Sequence, residues 1–107
     1  MVIYNGIVFV GGQTAKDRTQ DIQGQTRQTL ENIDRFLAEA DTDKTRLLTT
    51  QIWLKDIKRD FAGMNEVWDA WTPPGNTSTR ATAQCEMGSP DVLVEMIVTA
   101  AVGVGDT

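Results

Sequence analysis

Apolar and polar positions change rhythm several times along this chain, and each change marks an element. "VIYNGIVFV", residues 2–10, alternates apolar with other residues about Asn5-Gly6. That dipeptide accepts the positive φ angles of a type I′ turn, so the stretch predicts a β-hairpin. Gly11-Gly12 is expected to end the second strand and, lacking side chains, to let other groups approach its backbone closely. "QTAKDRTQ" is polar and loop-like. The spacing then becomes helical: Ile22, Leu30, Ile33, Leu37 and Ala40 share one face, with Thr26 bridging the gap. Asp21 is placed to cap this helix and Asp41-Thr42-Asp43 to end it, while Gly24 weakens its first turn.

"RLLTTQIWL", residues 46–54, is rich in β-branched and apolar residues and predicts a strand. Phe61, Met64, Val67, Trp68 and Trp71 form a second amphipathic face, which predicts a helix from Asp60 to Trp71, stopped by Thr72-Pro73-Pro74-Gly75. Residues 79–87 predict another strand, Gly88-Ser89-Pro90-Asp91 a turn, and residues 92–102 the longest strand, with "GVGDT" a frayed tail. "STRATAQCEMGSPDVLVEM" thus reads as a hairpin in which Arg80 and Glu95 could face one another. The order ββ–α–β–α–ββ points to a sheet with both helices packed on one face. The other face would be apolar and would need cover, which further copies in an oligomer could supply.

The 107 residues suit one domain. A net charge of −5 without any Lys/Arg block lacks the electrostatic footprint of a nucleic-acid binder. No apolar run approaches the roughly 20 residues of a membrane span, and the N-terminus has no positive region of a signal peptide. Cys85 is the single cysteine, which rules out an intrachain disulfide and favours a cytoplasmic setting. It reads as a small core residue rather than a catalytic thiol, with no histidine to activate it.

The absence of histidine excludes histidine triads, histidine general bases and histidine-ligated zinc. Asp41 and Asp43 match no metal-binding loop, and Gly11-Gly12 lacks the rest of a phosphate-binding pattern. Trp53, Trp68 and Trp71 fall on periodic apolar faces, as core residues do. Two charges remain. Arg80 is either a surface strand arginine paired with an acid such as Glu86, or a planar fork for a carboxylate. Glu95 interrupts "VLV-MIV", where a charge is costly unless paired or facing a cavity. It is either a structural partner for Arg80 or a carboxylate that holds a water at a cleft.

The chain resembles the RidA family, also called YjgF or L-PSP, the reactive intermediate deaminases. The resemblance lies in "VFVGGQTA", "QTRQTLENIDRFLAEA", "TTQIWLKDI", "FAGMNEVWDAW" and "TRATAQCEMGSPDVLVEMIVTAAV", in family order along nearly the whole chain. The last piece is the most specific, with an Arg-Ala-Thr strand start at Arg80 and a Val-Glu strand reaching Glu95.

The resemblance implies one RidA-like domain over residues 1–107 with a chorismate-mutase-like α+β fold, a mixed sheet carrying two helices on one face. It implies a cytoplasmic homotrimer with clefts between subunits, no cofactor, no metal, no nucleic-acid partner and no membrane partner. The implied activity is hydrolytic deamination of reactive 2-enamine and 2-imine acids, such as 2-aminoacrylate and 2-iminopropionate, to 2-keto acids and ammonia. By position, Arg80 would grip the substrate carboxylate and Glu95 would orient the attacking water. Thr82 would offer backbone groups to the substrate, and Gly12 with Gly11 would line the cleft.

Three departures follow from the same resemblance. The chain begins beyond the Gly-Pro-Tyr segment of many such deaminases, which implies a more open site or a short form. Gly11 stands where a serine is common, and Ser78 where a proline often precedes the arginine. The alternatives to deamination are a non-enzymatic module binding small carboxylates such as 2-keto acids, a hydrolase of another enamine-type catabolic intermediate, and a ribonuclease.

Overall fold

The computed structural model describes residues 1–103. Its elements are β1 (Val2–Tyr4), β2 (Ile7–Gln13), α1 (Ile22–Glu39), a 3-10 turn (Lys44–Arg46), β3 (Leu47–Leu54), α2 (Ile57–Trp71), β4 (Thr79–Gln84) and β5 (Val94–Ala101). The order ββ–α–β–α–ββ is the expected one. The sheet order is β1-β2-β5-β3-β4, antiparallel at every junction except β3–β4.

Both β2 and β3 run antiparallel to β5, so they are parallel to each other. The chain therefore contains two crossovers, β2–α1–β3 and β3–α2–β4, stepping in the same direction across the sheet. Crossovers share one hand, so both helices land on the same face. The first crossover leaves one strand position vacant, and β5 fills it. There β5 has a neighbour along each edge and helices over one face, which suits its apolar sequence.

This topology overturns the expected hairpin of the last two strands. β4 and β5 are not partners, because β3 lies between them. The α2 crossover sets β4 directly beside β3, so the only slot that covers both edges of β5 is on the other side of β3. The length of β3 also sets the inner ends of both neighbours. Leu54 pairs with Gln84 of β4 and Val94 of β5, so β4 stops short of residue 87 and β5 starts later than residue 92.

Other boundaries differ for local reasons. β2 does not end at Gly11-Gly12 but continues to Gln13 through a bulge. Val10 pairs with Val98 and Gln13 with Met96, leaving Gly11 and Gly12 opposite Ile97 alone. α2 begins at Ile57 rather than Asp60, because Asp56 caps it: the Arg59 N–H donates to Asp56 Oδ1 at 3.1 Å. Gln84 Oε1 accepts the Ile57 N–H at 2.9 Å and ties that helix start to β4. The expectations for the hairpin turn and the first cap hold. Asn5 and Gly6 take φ 51° and 76°, and the Gly24 N–H donates to Asp21 Oδ1 at 2.9 Å. Of the tail, residues 104–107 lie outside the described residues.

Alternation divides the sheet into two faces. Val94, Met96, Val98 and Ala100 of β5 are buried against Leu30, Ile33 and Leu37 of α1 and Met64, Val67 and Trp68 of α2. The opposite face carries Glu95, Ile97, Thr99 and Ala101 of β5, with Ile7 and Phe9 of β2 and Val2 and Tyr4 of β1 in register. Val2, Tyr4 and Phe9 are 62%, 68% and 44% exposed, so this open face is apolar, as expected.

Candidate functional site

Arg80 pairs with Thr50 of β3, whose side chain is buried toward the helices, so Arg80 lies on the helical side of the sheet. β4 is an edge strand, and the Arg80 guanidinium carbon sits 5.7 Å from the centroid of the Trp68 ring and 6.0 Å from that of Phe61. Among the described residues the ion pairs are Arg18–Asp91 and Arg59–Asp60, so the expected partner Glu86 does not hold Arg80. An exposed guanidinium laid along aromatic rings keeps its planar edge of donors available for a carboxylate. The start of β4 is tied down at Ser78, whose Oγ is hydrogen-bonded with Thr50 Oγ1 at 2.8 Å.

Glu95 occupies the opposite face. It lies between the buried Val94 and Met96, half-buried itself, with Trp53 as its cross-strand partner on β3. Its carboxylate rests on the backbone of Gly12. A methyl group added to Gly12 would stand 2.0 Å from Glu95 Oε2 and 3.0 Å from Cδ. The bulge thus presents a floor without side chains, and only glycine at position 12 lets the carboxylate occupy it. Gly11 faces open space.

Arg80 and Glu95 are therefore not structural partners within one chain. The structure brings Gly12 to Glu95, and Thr82 to Arg80. It separates these two groups by the thickness of the sheet and by the width of β3.

Thr82 pairs with Ile52 on the helical side, next after Arg80 on that face. Its Oγ1 is buried without a partner among the described residues, as is Asn65 Oδ1 of α2. Asn65 falls between Phe61 and Trp68 at i+4 and i−3, on the stripe that faces β4. Sequence reasoning passed over Phe61, Asn65 and Trp68 as site residues. The available signal was an amide set between two aromatic residues on one helical face, which a purely packed stripe does not need.

Arg80 and Glu95 line none of three grooves found among the described residues. These are a groove of about 510 Å³ between α1 and α2, one of about 650 Å³ beside Lys55 and Cys85, and one of about 590 Å³ around Lys16 and Arg35. No group of three or more Cys, Asp or Glu side chains converges on a cation position among the described residues. No helix among them is long and apolar enough to cross a membrane.

The fold recurs in known proteins. A crystal structure of an uncharacterized protein from Pseudomonas aeruginosa superimposes with a TM-score of 0.91 at 46% identity, covering 94% of this chain and 87% of that one. A YjgF-family protein from Neisseria meningitidis gives a TM-score of 0.90 at 37% identity over 94% of this chain and 83% of that one. These neighbours define the class as the chorismate-mutase-like α+β fold. The family profile described as Endoribonuclease L-PSP matches residues 1–102. A RutC family protein of Haemophilus ducreyi is 38% identical over 102 residues, 95% of this chain and 86% of the relative. The chain belongs to the L-PSP family, known equally as YjgF, RutC or RidA.

Proposed function

We propose that this protein hydrolyses reactive 2-imine and 2-enamine acids to 2-keto acids and ammonia, in a cleft between two subunits of a cytoplasmic homotrimer. The observation that carries the reading is the division of the two charges. Arg80 offers a fork without an ion-pair partner among the described residues at one edge of the sheet, and Glu95 lies on a glycine floor on the other face. A neighbouring protomer seated on the apolar open face would bring the edge of its β4 toward Glu95. The half-sites would then complete one another.

The chemistry needs little more. Arg80 binds the carboxylate of the substrate, and Thr82 offers backbone groups beside it. A protonated imine is already electrophilic at C2. Water held by Glu95 adds there, forming a C–O bond while Glu95 takes a proton. Glu95 returns that proton to nitrogen. The C–N bond breaks as the hydroxyl oxygen forms the C=O, the hydroxyl proton passes through Glu95 to the departing ammonia, and ammonium and a 2-keto acid are released.

The test couples the protein to a pyridoxal-phosphate-dependent threonine or serine dehydratase, with semicarbazide trapping the free imine. Faster keto-acid release than with the dehydratase alone supports the reading, and Arg80→Ala abolishes the gain. Unchanged release, with or without the substitution, refutes it. Titration with 2-ketobutyrate distinguishes a carboxylate-binding module, which would bind without turnover.

The family's designation as endoribonuclease L-PSP favours a second reading, cleavage of RNA. The net charge of −5 and the absence of histidine count against it. RNA cleavage by purified protein, lost in Arg80→Ala or Glu95→Gln, would establish it.

A further inference from the structure

The Arg80 guanidinium is packed against side chains whose own positions are fixed from a distant helix. Trp68 is 6% exposed, and its ring meets that of Trp71 at 5.4 Å between centroids with the planes at 41°. Trp71 in turn donates its Nε1–H to Asp34 Oδ2 of α1 at 3.0 Å. The Lys44 ammonium lies 4.9 Å from the Trp71 centroid on the same assembly. Phe61, two turns earlier on the same face of α2 and 41% exposed, supplies the second ring beneath the guanidinium. A free arginine side chain samples many rotamers, and that freedom must be lost when its fork meets a carboxylate. A guanidinium already lying on two rings has lost much of it beforehand, and its donors stay in the plane that a carboxylate requires.

We infer that Trp68, held by Trp71 and Asp34, is a positioning residue that orders the Arg80 guanidinium for carboxylate binding, with Phe61 as the outer half of the platform. This rests on the carboxylate clamp proposed for Arg80. Trp68 itself touches no reacting atom, so its loss acts on binding and leaves the chemical step nearly intact.

The experiment compares wild type, Trp68→Leu, Trp68→Tyr and Phe61→Leu by calorimetry with 2-ketobutyrate, by steady-state imine hydrolysis, and by the NMR resonance of the Arg80 Nε–H. That resonance is assigned by its disappearance in Arg80→Lys. Trp68→Leu is expected to weaken 2-ketobutyrate binding and raise KM about three- to tenfold, with kcat within about twofold of wild type. Trp68→Tyr, which keeps a ring face, restores most of the loss. The Arg80 Nε–H loses the Trp68 part of its ring-current shift in Trp68→Leu and keeps most of it in Trp68→Tyr. If Trp68→Leu does not fold, Phe61→Leu at its exposed position is expected to show the same loss in smaller degree. Unchanged affinity and an unchanged Arg80 resonance in a folded Trp68→Leu protein, or in Phe61→Leu, overturn the inference. Wild type that binds 2-ketobutyrate without hydrolysing imines refutes the deaminase alone, and the platform is then judged on affinity. Wild type that binds no 2-keto acid refutes the clamp and the platform's role together.

Discussion

Arg80 and Glu95 project from opposite faces of one sheet, with β3 between their strands, although a single loop joins β4 to β5. Two strand spacings, together with the offset from Thr50 to Trp53 along β3, separate their backbones by about 14 Å, and the sheet itself stands between the side chains. No rotamer change within one chain closes that gap. Any chemistry that needs both groups at one substrate needs two protomers.

Assembly should therefore be a condition of activity. Phe9→Glu puts a charge at the centre of the open face without disturbing the buried side of β2. The expected protein is folded by circular dichroism, monomeric by sedimentation and inactive in the trapped-imine assay. A monomer that still turns over imine would show that one chain suffices.

Gly12→Ala separates site from stability. The added methyl meets Glu95 Oε2 at 2.0 Å, but that atom is the end of a flexible side chain. The carboxylate swings away, and the fold gives little. Tm should stay within about 3 °C of wild type, while imine hydrolysis falls about tenfold or more. A large loss of Tm with activity intact per folded protein would mean the glycine serves only packing.

Gln25 is the buried link between the loop after β2 and the loop before β5. Its Nε2 donates to the carbonyls of Arg18, Gln20 and Asp91 at 3.2, 3.1 and 3.0 Å, and its Oε1 accepts the Leu93 N–H at 2.9 Å. Gln25→Leu keeps the volume but strands these backbone groups. Urea unfolding should show a loss of about 2–3 kcal/mol. A change below about 0.5 kcal/mol would mean water replaces the amide at no cost.

How legible was this molecule in its sequence? Helical periodicity, the Asn5-Gly6 turn and the Asp21 cap are local, and they appear where expected. The pairing of β5 is not local. Nothing in "STRATAQCEMGSPDVLVEM" records that α1 leaves a vacant slot between β2 and β3, so adjacent strands read as a hairpin. The same limit applies to the site. Arg80 and Glu95 stand out as charges among apolar neighbours, but which face each takes depends on register with β3. Phe61 and Trp68 read as core from spacing alone, because spacing does not show that an arginine lies against them.

Asp43 gives a pH signature of its own. The Thr45 hydroxyl and then the Thr45 N–H donate to its carboxylate and hold it below the ordinary 3.8. A depressed folded value adds stability above the ordinary range and loses it as pH falls through the folded value. Asp43→Ala should therefore lower Tm at pH 7, and its deficit should shrink as pH falls below the ordinary 3.8 and through the lowered folded value. A deficit independent of pH would assign the effect to the backbone of the turn rather than to the carboxylate.

The most direct test of the divided site mixes two inactive variants. Arg80→Ala and Glu95→Gln subunits are refolded together at equal amounts, so that trimers assort at random. If each cleft takes Arg80 from one subunit and Glu95 from the next, about a quarter of the clefts regain both residues, and about a quarter of wild-type imine hydrolysis returns. If mixed trimers form and activity stays at the level of the separate variants, the divided site is wrong.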